Sequence, residues 1–137
     1  MRSLTQPKLD DMDAVFQQAM IEGVAAENAA RTKGGEITLD VKMVGKRPAG
    51  IGDVNAPLVQ QTMAAMESLG LTPQLRASST DSNIPISMGI PAVTLGRGGI
   101  SKGAHGLSES WTDEDSHIGV QLTLLTVLQN TGYEAAN

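Results

Sequence analysis

The apolar residues of this chain change their spacing at Gly34-Gly35, and that change limits the possible folds more than any other feature. Before the glycines, Leu9, Met12, Phe16, Met20 and Val24 recur at steps of three and four, the repeat of an amphipathic helix from Thr5 to about Arg31. Thr5 is placed to cap it, with Pro7 in the first turn, and the glycine pair ends it. After the glycines, Ile37, Leu39, Val41 and Met43 alternate with Thr38, Asp40 and Lys42, the pattern of a half-buried strand. Both periods therefore occur within the first 45 residues.

The stretch Lys46–Val54 is rich in Gly and Pro and reads as a hinge, so a domain boundary falls here, with residues 1–45 on one side and 46–137 on the other. Asn55 or Asp53 then caps a second helix with Pro57 in its first turn. Leu58, Val59, Thr62, Met63, Met66 and Leu69 form its apolar face, and Gly70 closes it. Beyond it the sequence predicts a strand at Gln74–Ser78, one or two helical turns at Asp81–Met88, and a buried strand at Pro91–Leu95. A loop with five glycines follows at Gly96–Gly106. Asp113 or Asp115 caps the last helix, which turns Ile118, Leu122, Leu125 and Leu128 inward. Helices alternating with short strands predict an α/β sandwich. Aromatics are 2% of the chain, so its core has to be built from Leu, Ile, Val, Met and Ala.

Composition excludes several functions. A net charge of −5 and no Lys/Arg cluster leave no basic face for nucleic acid. With no cysteine there is no disulfide scaffold, thiol nucleophile or Cys-based zinc site. No apolar run approaches the ~20 residues of a membrane helix, and no signal-peptide pattern opens the chain. The expectation is a cytoplasmic protein that does not engage a membrane.

Chemistry concentrates between Ser78 and Trp111, where a Ser-Ser-Thr-Asp-Ser-Asn cluster, an apolar run, a glycine loop and His105 occur in succession. Ligands of α/β folds bind beyond the carboxyl ends of strands, and both polar clusters follow predicted strands. Gly96, Gly98, Gly99 and Gly103 suit either a flexible surface loop or a backbone nest for an anion; Gly-Arg-Gly-Gly is neither a P-loop nor a dinucleotide fingerprint. Asp81 and Asn83 read equally as turn-formers or as groups holding the polar end of a substrate. His105 reads as a metal ligand or general base, or as an ordinary loop histidine. His117, in the first turn of a helix, reads as structural. No Gly-x-Ser-x-Gly elbow supports a serine triad.

The run Ser-Ser-Thr-Asp-Ser-Asn-Ile-Pro-Ile-Ser-Met-Gly-Ile-Pro-Ala-Val-Thr-Leu-Gly-Arg-Gly-Gly, followed by Gly-Ala-His-Gly-Leu-Ser-Glu, resembles the C-terminal signature of M20 zinc metallopeptidases, a family with peptidase T-like, carboxypeptidase G-like and aminoacylase-like members. The likeness extends, more weakly, over the rest of the chain. It implies a partial α/β sandwich of the zinc-peptidase type, preceded by an α+β segment that is the second half of a lid or dimerisation domain. It also implies hydrolysis of peptide or amide bonds in peptides or N-acyl amino acids, with two zinc ions and a homodimer. Under the resemblance His105 is a zinc ligand, Glu109 orients its loop, and Thr80, Asp81, Asn83 and Arg97 face the substrate. The His-x-Asp motif, the Glu-Glu pair and the further acidic ligand of the family do not occur in this sequence. The resemblance therefore assigns no catalytic residue here and implies that this chain is inactive alone and binds zinc weakly. The contrasting expectation is a non-catalytic module that self-associates or binds a small molecule.

Overall fold

The computed structural model describes residues 1–133 and divides the chain into two compact units, 1–51 and 52–137. The division falls inside the Gly/Pro-rich run.

The first unit is one helix, α1 (Gln6–Ala30), and the chain that returns along it. Thr5 occupies the N-cap position in extended conformation but makes no side-chain cap bond. The return path is pinned at three places. Asn28 at the far end of α1 donates through Nδ2 to the Ile37 carbonyl (2.9 Å) and accepts the Ile37 N–H at Oδ1 (2.8 Å). The Lys46 ammonium lies 3.6 Å from the Asp10 carboxylate. The Ala49 N–H donates to Gln6 Oε1 at 3.2 Å. From Asn28 back to Gln6 the helix spans about 33 Å at 1.5 Å per residue. Ile37 to Ala49 covers about 40 Å when extended. The returning chain has to be extended to match the helix with half as many residues.

That geometry corrects the strand expected at Ile37–Met43: the segment is extended but pairs with no strand among the described residues, because its neighbour is a helix. The alternation survives only as a bias in exposure, with Ile37 and Leu39 at 37% against Val44 at 98%. No residue of α1 is buried.

The second unit carries the buried core. Helix α2 (Pro57–Ser68) packs against α4 (Ser116–Thr131). Ala56, Val59, Thr62 and Ala65 from one side meet burial with Gly119, Leu122 and Thr126 from the other. Ala56, rather than Asn55 or Asp53, is the N-cap of α2; the Asp53 carboxylate instead accepts the Asn55 N–H (2.9 Å) and shapes the turn ahead of the helix. Pro57 starts the helix and Leu69 caps it, followed by Gly70 at φ 75°. Asp115 is the N-cap of α4 in left-handed conformation, while Asp113 accepts a hydrogen bond from the Ser116 hydroxyl. The inward face of α4 is the expected one: Leu122 is buried, and Ile118, Leu125 and Leu128 are half-buried.

Between these helices lie α3 (Asn83–Ser87), β1 (Ile100–Lys102) and β2 (Ser110–Thr112). β1 and β2 form a two-stranded antiparallel sheet with Ser101 opposite Trp111. The strands expected at Gln74–Ser78 and Pro91–Leu95 are both absent: each segment is irregular, with no ladder partner among the described residues. The pairing arises instead inside the stretch expected to be only a glycine loop. Among the described residues the fold is mixed, helices with a small two-stranded sheet, which is loosely compatible with the α/β class, but they do not form the expected sandwich. Among the described residues, no helix is long and apolar enough to cross a membrane.

Candidate functional site

The polar cluster after Ser78 folds into a turn that feeds α3. The Thr80 carbonyl accepts the Asn83 N–H (3.1 Å), and the Asn83 side-chain Oδ1 accepts the Thr80 N–H (2.8 Å). This reciprocal pair has the logic of a capping box, with an amide at the third position reaching back to the first residue. Asn83 is therefore engaged with backbone, the turn-forming role the sequence left open. The Asp81 carbonyl accepts the Ile84 N–H (3.2 Å) as the turn continues.

The same turn carries a chain of hydroxyls. Thr94 Oγ1 donates to Thr80 Oγ1 at 2.8 Å, and Ser82 Oγ lies 2.6 Å from Thr94 Oγ1. A hydroxyl has one proton to give. Thr94 gives its proton to Thr80, so the short contact is filled by Ser82 donating to Thr94. Polarisation then runs from Ser82 through Thr94 to Thr80, each bond strengthening the next. The Thr80 proton remains to be donated outward, suited to a carbonyl or carboxylate oxygen. Thr94 lies at the end of the apolar run Pro91–Leu95, and this run brings its hydroxyl to the turn. Ser82 and Thr94 were not singled out from the sequence. Ser82 was one hydroxyl of a polar cluster and Thr94 a hydroxyl inside an apolar run, and neither signal reveals a partner 12 or 14 residues away.

Arg97 sits on the sheet. Its guanidinium carbon stands 5.6 Å from the centre of the Trp111 ring, within cation–π range, and Nη2 donates to Ser101 Oγ (3.2 Å). Trp111 in turn donates through Nε1 to the Gly98 carbonyl (3.1 Å). The loop backbone presses onto α4 here. A Cβ on Gly98, at φ 76°, would stand 2.6 Å from the Ser116 carbonyl oxygen, and a Cβ on Gly119 would run into the Arg97 backbone. These two glycines permit a close approach of loop and helix, so at Gly98 the loop is packed rather than free. Arg97 retains donors on its exposed fork that Ser101 does not use.

His105 adopts φ 65°, a left-handed conformation uncommon for a residue with a side chain. Its N–H donates to Glu109 Oε2 at 3.2 Å, while the Gly106 N–H bonds the Gly103 carbonyl and the Glu109 N–H the Gly106 carbonyl, both at 3.0 Å. The Glu109 carboxylate thus holds the backbone of the loop at His105, not the imidazole. His105 and Glu109 are both exposed. His117 is the second residue of α4, also exposed.

Catalytic zinc takes three protein ligands and keeps a position open. Among the described residues, no three His, Asp or Glu side chains come together to hold a metal. These bonds place the expected site residues in three groupings: Thr80 with Ser82, Asn83 and Thr94; Arg97 with Ser101 and Trp111; His105 with Glu109. No protein-family model and no curated protein matches the chain.

Proposed function

We propose that this chain is the C-terminal part of a zinc-dependent M20-type peptidase or amidohydrolase, in which it supplies one zinc ligand and one wall of the substrate pocket. The observation that carries the reading is the ordered run from Ser78 to Glu109, with its Ser-Thr-Asp-Ser-Asn cluster, Gly-Arg-Gly-Gly loop and Gly-Ala-His-Gly. The bonding within that run supports it. A polarised hydroxyl chain that ends on the Thr80 proton can hold a substrate carbonyl or carboxylate. The exposed Arg97 fork is suited to a carboxylate such as a peptide terminus or the acid of an N-acyl amino acid. In the assembled enzyme His105 would provide one imidazole to a two-zinc centre. The remaining ligands and the general base would come from polypeptide outside this sequence, in a sandwich that this unit helps to complete. Asp81 and Asn83 shape the pocket wall, Asn83 through the Thr80 turn, and Glu109 sets the conformation of the His105 loop.

The test starts with the genomic reading frame around this sequence. The reading expects a His-x-Asp motif and a Glu-Glu pair encoded ahead of Met1. The encoded product should cleave dipeptides or N-acyl amino acids in a chelator-sensitive way, and His105→Ala should lower its kcat/KM by about 100-fold or more. Hydrolysis that is indifferent to both chelator and His105→Ala would overturn the reading, as would a frame encoding neither motif. The 137-residue chain alone should bind zinc no tighter than roughly micromolar by calorimetry, because one imidazole is a poor site.

A second reading, a non-catalytic self-associating module, is favoured by the apolar surface of the first unit, where Val15, Phe16 and Ile21 are 70%, 45% and 56% exposed.

A further inference from the structure

The pair β1–β2 sets one guanidinium in place. Ser101 and Trp111 are directly opposite in the register, so their side chains stand on the same face of the sheet. Arg97 meets both: Nη2 donates to Ser101 Oγ at 3.2 Å, and the guanidinium carbon lies 5.6 Å from the Trp111 ring centre. The ring is itself held. Its Nε1 donates to the Gly98 carbonyl at 3.1 Å, and a Cβ on Gly99, at φ 70°, would stand 2.5 Å from that nitrogen. Gly98 in turn lies against Ser116 at the start of α4. Order passes from α4 through the loop backbone to the indole, and from the indole to Arg97.

These contacts fix the arginine without using it up. An aromatic ring attracts a guanidinium as a charge and offers no acceptor atom, so Ser101 takes a single hydrogen and the remaining N–H groups of the fork stay available. The side chain is exposed. Among the described residues no carboxylate lies within ion-pair distance of Arg97, in a chain of net charge −5 whose Arg31 finds Glu27 at 3.8 Å. A guanidinium fixed in place before binding loses less rotamer freedom when a carboxylate arrives than one that moves freely.

We propose that Trp111 is a positioning residue: its indole holds the Arg97 guanidinium as a preset fork, and that fork selects ligands by a free carboxylate. The ligand is an N-acyl amino acid or a peptide whose terminal carboxylate is free. The same molecule as an amide is rejected, because an amide has neither the charge nor the paired acceptor oxygens that a guanidinium binds through two parallel bonds. That choice of ligand class rests on the peptidase reading. The hold of Trp111 on Arg97 does not, since every group in it belongs to this chain.

The experiment is an NMR titration of the isotope-labelled 137-residue chain with N-acetylglycine and, separately, with N-acetylglycinamide at constant ionic strength, following the Trp111 indole N–H and the Arg97 Nε–H. N-acetylglycine should move both signals with half-saturation at or below about 50 mM, and N-acetylglycinamide should move neither. Arg97→Gln should abolish the response. Arg97→Lys keeps the charge without the planar fork and should weaken binding by about 5-fold or more. Trp111→Leu should weaken it by about 5-fold, and Trp111→Phe, which keeps a ring, by about twofold or less. In Trp111→Leu the Arg97 side-chain protons should also lose the upfield displacement that a neighbouring ring imposes. Should Trp111→Leu lose the amide pattern of β1–β2, Trp111→Phe and Arg97→Lys decide. Equal responses to the two ligands, a response that survives Arg97→Gln, or a folded Trp111→Leu that binds like the wild type would each overturn the proposal. The titration needs neither zinc nor hydrolysis. Cleavage indifferent to chelator would sink the peptidase reading and leave this result standing, while a silent Arg97 would sink the fork and leave the peptidase reading as it was.

Discussion

The two units reach order by different means. In the first, a 25-residue helix and its returning chain are joined by polar contacts at Asn28, Asp10 and Gln6, and α1 buries nothing. In the second, two shorter helices pack together and bury Val59, Thr62 and Ala65 on one and Leu122 and Thr126 on the other. Backbone ordering costs about 1–2 kcal/mol per residue, and apolar burial is the principal term that offsets it. The contrast teaches that a clean helical repeat does not by itself make a core. Leu9, Met12, Phe16, Met20 and Val24 repeat well, yet Phe16 and Met20 remain 45% and 36% exposed. The less regular α2–α4 pair buries Ala65 completely.

The comparison breaks most directly at Leu122. Leu122→Ala removes a buried side chain from the α2–α4 contact and should cost about 3 kcal/mol. Trp111, the single tryptophan, lies in the second unit and reports its unfolding by fluorescence. Its urea midpoint should fall sharply, while amide exchange in α1 stays as it was. Equal loosening of both units would show that one cooperative core spans them. Gly119→Ala should cost less, about 2 kcal/mol, because its Cβ meets the Arg97 backbone and the loop has to shift. A Trp111 midpoint raised by this substitution would refute the close packing of loop and helix.

Asn28→Ala probes the other side of the comparison. It deletes both bonds to the Ile37 backbone, and an exposed pair of this kind contributes on the order of 1 kcal/mol. The Ile37 amide should exchange faster, and the Trp111 midpoint should not move. An unchanged Ile37 exchange rate would mean that the returning chain is held by something other than Asn28.

Which features could be read from the sequence follows the same physical divide. Helices are set by residues three and four apart, so α1, α2 and α4 were legible from spacing, proline and glycine alone. Strands are defined by a partner, which lies elsewhere in the chain. The alternation at Ile37–Met43 and the apolar run Pro91–Leu95 read as strands, yet neither finds a ladder, while Ile100–Lys102, within a glycine-rich loop, pairs with Ser110–Thr112. At the candidate site, the Thr80–Asn83 turn was legible as a place where Asp and Asn act locally. The chain from Ser82 through Thr94 to Thr80 was not, because it joins side chains brought together only by the path of residues 83–93. The roles proposed for His105 and Arg97 rest on the resemblance of Ser78–Glu109 to a peptidase signature and were not legible from spacing.

The smallest expected effect is at Lys46. Its ammonium lies 3.6 Å from the Asp10 carboxylate, and both side chains are more than half exposed. At such a site water screens the attraction and the long lysine loses rotamer freedom, so the pair contributes about 0.5 kcal/mol or less. The neighbouring bond from the Ala49 N–H to Gln6 is formed by partly buried groups and does not depend on charge. If the first unit is held by such local polar bonds, Lys46→Ala should leave exchange at Ala49 within about twofold of wild type, and 1 M NaCl should change it no more than that. If the ion pair were the clasp, both treatments would free Ala49 together, and the order would be electrostatic rather than hydrogen-bonded. Asn28→Ala and Lys46→Ala, compared at Ile37 and Ala49, therefore separate the two ways in which a unit without a buried helix face can keep its chain in place.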